Sequence, residues 1–338
     1  MVASLIFGFI ALGFVLPLFC KFVETFVRRR YTIEDLAKKS IIITGCDSGF
    51  GRLLALRMVT MGMPTFAACK TEEGVKSLRR LLTSVSPESI ERTWVFQLDV
   101  TSQSSVEEAY QFVKNNLGSS KLWALVNNAG ILGAALPDEW LTVDDYRHTM
   151  EVNFLGQIRM AQKFRPMLEK SHGRMIFMSS VFGRVSVPLL GPYQTTKHAL
   201  DSYVDMLRQE MLCRNVFVSI MEPGFFETCL TNGNDPLQLC VKQGRLREEE
   251  AAEIDAYGSH KNFLTRFCSK KTDMVTNAYQ EAITSKYPRY RYTVGLDAIL
   301  FWMPFAYLPT WLALRMSAFT TKLFNVNSIL EKRRVRSP

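Results

Sequence analysis

Apolar and polar positions along this chain switch repeatedly between two periods. Short apolar, β-branched runs bounded by turn residues read as buried strands, and apolar positions three and four apart read as helices. Ser40-Ile41-Ile42-Ile43-Thr44 predicts a strand, and Arg52-Leu53-Leu54-Ala55-Leu56-Arg57-Met58 the amphipathic helix after it. Further strands are predicted in MPTFAACK, RTWVFQLDV, KLWALVNNAG, GRMIFMSS and NVFVSIMEPGFF. Between them, VEEAYQFVKNNL, a stretch from about Val143 to Met160, and Tyr193 to Leu212 carry helical spacing. This βαβ alternation predicts a doubly wound parallel sheet, Rossmann-like, covered on both faces by helices.

Such sheets bind ligands beyond the C-terminal ends of their strands. The glycine-rich turn after Thr44, Asp99, Asn127-Asn128-Ala129-Gly130, Ser180 and Pro223-Gly224 all fall there. The rhythm breaks over residues 225–285, an interval expected to form a substrate lid or a solvated helical insertion. YPRYRYTVGLDA then predicts an additional edge strand.

The two ends of the chain differ from this pattern. Residues 1–20 carry no charged side chain, and twenty helical residues span about 30 Å, the hydrocarbon thickness of a bilayer. A cleaved signal peptide would carry a basic start and a shorter apolar run, so residues 1–22 are expected to be a membrane anchor. Residues 23–38 form a basic linker, and Arg28-Arg29-Arg30 would hold its side in the cytosol, which fits the endoplasmic reticulum membrane. The catalytic domain is expected over 39–297. Residues 298–338 begin with an uncharged segment interrupted by Pro304 and Pro309 and end in a basic tail. That segment suits the membrane interface, a cover over a substrate entrance, or simple packing on the domain.

A net charge of +9 on 338 residues admits nucleic acid as a partner. The cations cluster beside apolar runs, however, in a pattern that fits anionic headgroups better than a nucleic-acid surface. The seven cysteines lack a C-x-x-C pair and the four histidines form no ligand set with them, so no metal site is expected and the thiols are expected to be free and buried.

Gly45, Gly49 and Gly51 remove side chains where a strand meets a helix N-terminus, a place suited to an anion. The spacing G-x-x-x-G-x-G is not the usual G-x-G-x-x-G dinucleotide turn. Phe50-Gly51-Arg52 lacks the Gly-Lys-Ser/Thr ending of a phosphate loop, and Cys46 stands where a hydrolase nucleophile elbow at Ser48 needs glycine. Tyr193 and Lys197, four apart on a helix, share one face. A tyrosine with pKa about 10 needs a neighbouring cation to act near neutrality. Ser180, at the end of a strand, could hold a substrate oxygen as charge develops on it.

Taken together, T-G-x-x-x-G-x-G (Thr44 to Gly51), N-N-A-G (127–130), Ser180, Y-x-x-x-K (193–197) and Pro223-Gly224 resemble the short-chain dehydrogenase/reductase family over about 39–225. TGCDSGFG, AACKTEEG, LWALVNNAG, EWLT and EPGFFET are closer to its retinol and hydroxysteroid dehydrogenase branch. The resemblance implies an NAD(P)-dependent enzyme acting on CH–OH groups. Tyr193 would be the acid–base residue, and Lys197 would lower its pKa and hold the nicotinamide ribose. Ser180 would orient the substrate, and Asn153 would support a water-linked proton path. It further implies that Thr44, Gly45, Ser48, Gly49, Phe50 and Gly51 surround the pyrophosphate. Asp99 and Val100 would lie by the adenine, Asn127, Ala129 and Gly130 by the ribose, and Pro223, Gly224 and Thr228 by the nicotinamide.

Lys70 stands where an NAD-selective site often has an acid, so it either meets the 2′-phosphate of NADP or is solvated; the branch resembled favours NAD. A hydrophobic retinoid or steroid is the expected substrate, with the membrane as partner and a homodimer allowed. A short 3-hydroxy acid is the alternative, with Lys242, Arg245 and Arg247 as candidate carboxylate contacts. A catalytically idle lipid-binding protein on the same fold is a third reading, and the presence of Ser180, Tyr193 and Lys197 argues against it.

Overall fold

A computed structural model describes residues 31–227, 241 and 268–323. The run 1–22, Thr228, Lys242, Arg245, Arg247 and the basic tail lie outside the described residues. Seven strands form one parallel sheet: β1 (Lys39–Thr44), β2 (Thr65–Cys69), β3 (Thr93–Gln97), β4 (Lys121–Asn127), β5 (Arg174–Met178), β6 (Phe217–Pro223) and β7 (Arg291–Val294). Their order is β3-β2-β1-β4-β5-β6-β7, so the chain reverses direction across the sheet between β1 and β4. β7 pairs with β6 in parallel as the edge strand that the sequence pattern predicts.

Strand alternation sends β1 side chains to two separate cores. Ile41 and Ile43 pack with Leu54 and Met58 of α1 (Gly49–Thr60) and with Tyr279 and Ile283 of α7 (Asp273–Thr284). Ile42 points the other way, toward Val106 and Val113 of α3 (Gln103–Asn116), Phe164 of α5 (Gly156–Ser171) and Leu200 and Leu207 of α6 (Gly191–Leu212). Each such fully buried side chain contributes about 1.5–3 kcal/mol of transfer free energy.

Three elements depart from the sequence reading. First, α2 (Glu72–Val85), which the pattern leaves unassigned, joins β2 to β3; Thr71 caps it by accepting the Gly74 N–H, and Glu72 and Glu73 suit its N-terminal dipole. Second, the helix expected over 143–160 is interrupted. α4 (Val143–Met150) passes through a π-helical turn, Glu151–Leu155, into α5, which continues to Ser171. Third, the expected lid interval ends in α7, whose Val275, Tyr279, Ala282 and Ile283 are wholly buried. That part is core, because its apolar stripe covers the same sheet face as α1.

Part of the expected linker is also folded onto the domain. Ile33 donates its N–H to the Thr284 carbonyl at 2.7 Å, and Lys286 donates to the Tyr31 carbonyl at 2.7 Å. These bonds fix residues 31–33 beside the end of α7, just before β1.

Residues 298–314 fold as a π-helical turn (Ala298–Trp302), a short helix (Met303–Ala306) and the start of α8 (Thr310–Leu323). Ala298, Trp302 and Phe305 pack on the domain with Phe182 and Tyr193. Leu300, Tyr307, Trp311 and Leu314 remain exposed at 62–75%. The segment therefore has a packed inner face and an apolar outer one. Among the described residues no helix is long and apolar enough to cross a membrane. Four described cysteines are free; Cys46 and Cys69 are buried as expected, but Cys213 is exposed, because it follows the last turn of α6.

Candidate active site

A cavity of about 430 Å³ opens along the C-terminal ends of the strands, from Lys70 and Asp99 on one side of the sheet to Ser180 and Pro223 on the other. At its centre the glycine turn leads into α1. Gly45 and Gly49 take left-handed backbone, φ 71° and 58°, which costs glycine nothing. A Cβ on Gly45 would sit 2.8 Å from the Ala129 Cα, and one on Gly51 would sit 2.4 Å from the Gly45 carbonyl oxygen. Gly45, Ser48, Gly49 and Phe50 line the cavity. Gly51 does not; it lets the helix start lie against the turn.

Thr44 also stands behind the cavity. It is buried, and its hydroxyl oxygen accepts the N–H groups of Asn128 and Ala129, each at 3.0 Å. It thereby clamps the N-N-A-G segment to the glycine turn. Asn128 completes the clamp, donating to the Thr44 carbonyl at 2.9 Å and accepting from the Tyr279 hydroxyl at 3.2 Å. Asn128, Ala129 and Gly130 line the cavity, whereas Asn127, the expected ribose neighbour, is fully buried with neither amide atom hydrogen-bonded. Strand alternation places Asn127 on the core side and its successor at the cavity.

Asp47 is a functional position that the sequence reading missed. Its carboxylate accepts the Lys70 N–H at 2.8 Å, the Thr71 N–H at 3.0 Å and the Thr71 hydroxyl at 2.8 Å. It fixes the end of β2 against the glycine turn. The Lys70 ammonium is mostly exposed and lies 3.9 Å from Asp99 Oδ2. Asp99 Oδ1 is held by the Thr101 N–H and hydroxyl. Burial alone would raise the Asp99 carboxyl, but the Thr101 bonds and the Lys70 charge outweigh it and the net shift is downward.

The chemical end of the cavity is drier. Tyr193 and Lys197 lie one turn apart on α6, both buried. The Lys197 Nζ donates to the Met178 carbonyl at 2.8 Å and lies 5.4 Å from the centre of the Tyr193 ring. The Ser180 hydroxyl lies beside the Tyr193 phenol in the cavity lining, donates to the Pro223 carbonyl at 3.5 Å and accepts the Phe182 N–H at 3.2 Å. The π-helical turn aims Asn153 inward: its amide accepts the Ile131 N–H and donates to the Ile131 carbonyl, both at 2.8 Å, and donates to the Thr196 hydroxyl at 3.2 Å. Asn153 thus holds the Gly130–Ile131 wall rather than lining the cavity.

Burial pushes the Tyr193 phenol up to about 12, with the Ser180 hydroxyl acting the other way. Burial also pushes the Lys197 ammonium down to about 7, opposed by the charge of Asp201. Around this end Ile131, Leu132, Phe182, Leu190 and Phe225 form an apolar wall. Phe182 packs edge-on against Phe225 and Trp302 at 5.5 and 5.3 Å. Pro223 and Gly224 lie beside it, and Asp297, another missed residue, accepts the Phe225 N–H at 2.8 Å.

The family model for short chain dehydrogenase matches residues 39–237. The chain belongs to that family. It is 39% identical over 296 residues to Retinol dehydrogenase 16 of Mus musculus, covering 85% of this chain and 90% of that one. It is 40% identical over 315 residues to a 3beta-hydroxysteroid dehydrogenase of Caenorhabditis elegans, covering 88% and 79%. A short chain dehydrogenase/reductase from Burkholderia phymatum, solved in complex with NAD, shares the fold with a TM-score of 0.65 at 22% identity, over 79% of this chain and 92% of that one. As a short-chain dehydrogenase of the retinol and hydroxysteroid dehydrogenase branch, the chain is an NAD(P)-dependent oxidoreductase acting on CH–OH groups.

The residues present fit such a dinucleotide. The first N–H groups of α1 have no intrahelical partner, the Ser48 hydroxyl makes no capping bond, and both face the cavity. Among the described residues no cluster of His, Cys, Asp or Glu could hold a metal ion.

Proposed function

We propose that this short-chain dehydrogenase interconverts the alcohol and carbonyl of a hydrophobic substrate, a retinoid or a steroid, at a membrane. The observation that carries this reading is the convergence of Ser180, Tyr193 and Lys197 on the apolar end of the cavity. When bound, the nicotinamide supplies the two-electron redox partner. Tyr193 gives a proton to the carbonyl oxygen in reduction and takes the alcohol proton in oxidation. Ser180 holds that same oxygen from its place beside the phenol in the cavity lining. Lys197 would hold the nicotinamide ribose, and Asn153 keeps the adjoining wall in place. Phe182, Phe225 and Leu190 exclude water and fit a flat apolar body. A 3-hydroxy acid would need a cation at this end besides Lys197. Among the described residues that line the cavity, the only other is Lys70, at the far end. Turnover of retinoids, steroids and 3-hydroxybutyrate by the purified chain separates the two substrate classes, and a preference for 3-hydroxybutyrate would reject ours.

The cofactor proposed is NAD. Asp47 and Asp99 both lie by Lys70 in the lining, so this corner is poor in positive charge for a dianionic 2′-phosphate. Lys70→Ala is then expected to leave the KM for NAD little changed. In an NADP site the lost charged hydrogen bond is worth about 1.5–3 kcal/mol, roughly tenfold to hundredfold in affinity. Such a loss, specific to NADP, would overturn the assignment.

Membrane attachment is proposed through residues 1–22, aided by the apolar outer face of 296–314, where Leu296, Leu300 and Tyr307 are more than 70% exposed. Removing residues 1–22 should shift the chain from the membrane pellet toward the soluble fraction. Unchanged retention after carbonate washing would show that the anchor lies elsewhere.

A further inference from the structure

An ionic cluster, buried at Asp201 and Glu222 and partly exposed at Arg291 and Asp205, lies directly behind the chemical end of the cavity. Tyr193, Lys197 and Asp201 follow one another at four-residue spacing on α6, and all three are buried. Asp201 Oδ1 accepts the hydroxyl of Ser179, the residue before Ser180, at 2.8 Å. Asp201 Oδ2 accepts Arg291 Nη1 of β7 at 2.8 Å. The same Nη1 donates to Glu222 Oε1 at 2.6 Å, and Glu222 immediately precedes Pro223. The other arm of Arg291 takes both oxygens of Asp205 at 2.8 and 2.7 Å, one turn further along α6. Bidentate, charge-assisted pairing of this kind fixes geometry as well as charge. The turn after Ser180 is packed onto the cluster: a Cβ on Gly183 would lie 2.7 Å from both Asp201 Oδ1 and the Ser179 hydroxyl, and 3.0 Å from the Lys197 carbonyl oxygen.

Three separate segments carry the reacting groups: the end of β5, the face of α6 and the end of β6. The ends of β5 and β6 are paired in the sheet, with the Ser179 N–H donating to the Met221 carbonyl at 2.8 Å, and Lys197 Nζ ties α6 to the Met178 carbonyl; among the described residues the cluster is the one set of side chains that joins all three segments. We propose that Asp201, paired with Arg291, is the positioning residue of the site. It holds the Ser180 turn through Ser179 and keeps that turn in register with the Tyr193–Lys197 face and the Glu222–Pro223 strand end.

The same carboxylate also acts on Lys197 through charge. Around that ammonium stand Tyr193 and Asp201 on its own helix, with Arg184, Glu222 and Arg291 behind Asp201. The end of β5 presents the Met178 carbonyl, the turn after β4 presents Gly130, and the π-helical turn Glu151–Leu155 presents the Asn153 amide. Burial lowers the Lys197 pKa to about 7 and Asp201 is the one charge that raises it. Without Asp201 the ammonium loses its proton at lower pH.

This inference rests on the proposed acid–base role of Tyr193, and the test separates the two. Asp201→Asn, Asp201→Glu, Ser179→Ala and Tyr193→Phe are compared in the full chain for kcat, KM and the pH profile of kcat. Asp201→Asn is expected to lower kcat about tenfold to hundredfold, less than loss of the acid–base group, with the alkaline limb moved to lower pH and KM for the dinucleotide little altered. Asp201→Glu should restore most of that loss. Ser179→Ala removes the tether and not the charge, so kcat should fall with the alkaline limb unmoved. A folded Asp201→Asn with wild-type kcat and profile, beside an inactive Tyr193→Phe, would overturn the positioning role and leave the acid–base assignment standing. A loss of kcat in Asp201→Asn with the profile unmoved and no rescue by Asp201→Glu would show a merely structural residue. An active Tyr193→Phe would remove the basis of both.

Discussion

Tyr193→Phe is expected to lower kcat by about 10²–10⁴-fold, the usual worth of a positioned acid–base group. The substitution removes only a hydroxyl. The ring keeps its packing with Phe182 and Val185, and Lys197 keeps its bond to the Met178 carbonyl. Dinucleotide affinity should therefore change little, and a titration of intrinsic fluorescence beside steady-state kinetics measures both. Because burial holds the phenol near 12 in the chain alone, reduction begins from the proton-bearing form already present at neutral pH. Oxidation needs the phenolate, which extra positive charge at the site must favour. A variant that keeps the wild-type kcat on its best substrate would remove Tyr193 from the mechanism.

Gly51→Ala should produce the second large effect through a different route. The new Cβ would meet the Gly45 carbonyl oxygen at 2.4 Å and the Asn128 amide nitrogen at 2.5 Å. The carbonyl is backbone, and the Asn128 amide is tied to the Thr44 and Gly45 carbonyls, so neither yields without moving the turn. Overpacking of this kind costs about 1–3 kcal/mol. The start of α1 would be pushed from the glycine turn, and a displacement near 1 Å costs about 10²-fold where geometry governs a reaction. Dinucleotide affinity is expected to fall at least about tenfold, with a lower Tm. Wild-type affinity in Gly51→Ala would show that the helix start does not hold the pyrophosphate.

The strand and helix rhythm was legible because each element declares itself locally. Three adjacent isoleucines make β1, and Tyr193 and Lys197 share a face by helical spacing alone. The glycine turn and Ser180 were legible because they occupy strand ends, where this sheet type keeps its ligands. What was hidden depends on long-range pairing. Asp47 reaches Lys70 and Thr71, Tyr279 reaches Asn128, and Asp201 reaches Arg291 across ninety residues of sequence. Nothing local marks any of them. The exchange of Asn127 for Asn128 at the cavity is a matter of one residue in strand phase, which composition does not fix. Spacing reveals the cation neighbouring the phenol but not the burial that raises it. The helical interval at 273–284 looked like an insertion because it follows a charged stretch; only its packing with Ile41 and Ile43 shows it to be core.

The most direct test of the account is product stoichiometry. Purified full-length chain in detergent, given NAD and a hydrophobic secondary or primary alcohol, should form one carbonyl product per nicotinamide reduced, and Tyr193→Phe should form almost none. No turnover of any retinoid or steroid with either dinucleotide, or equal turnover by Tyr193→Phe, would contradict it.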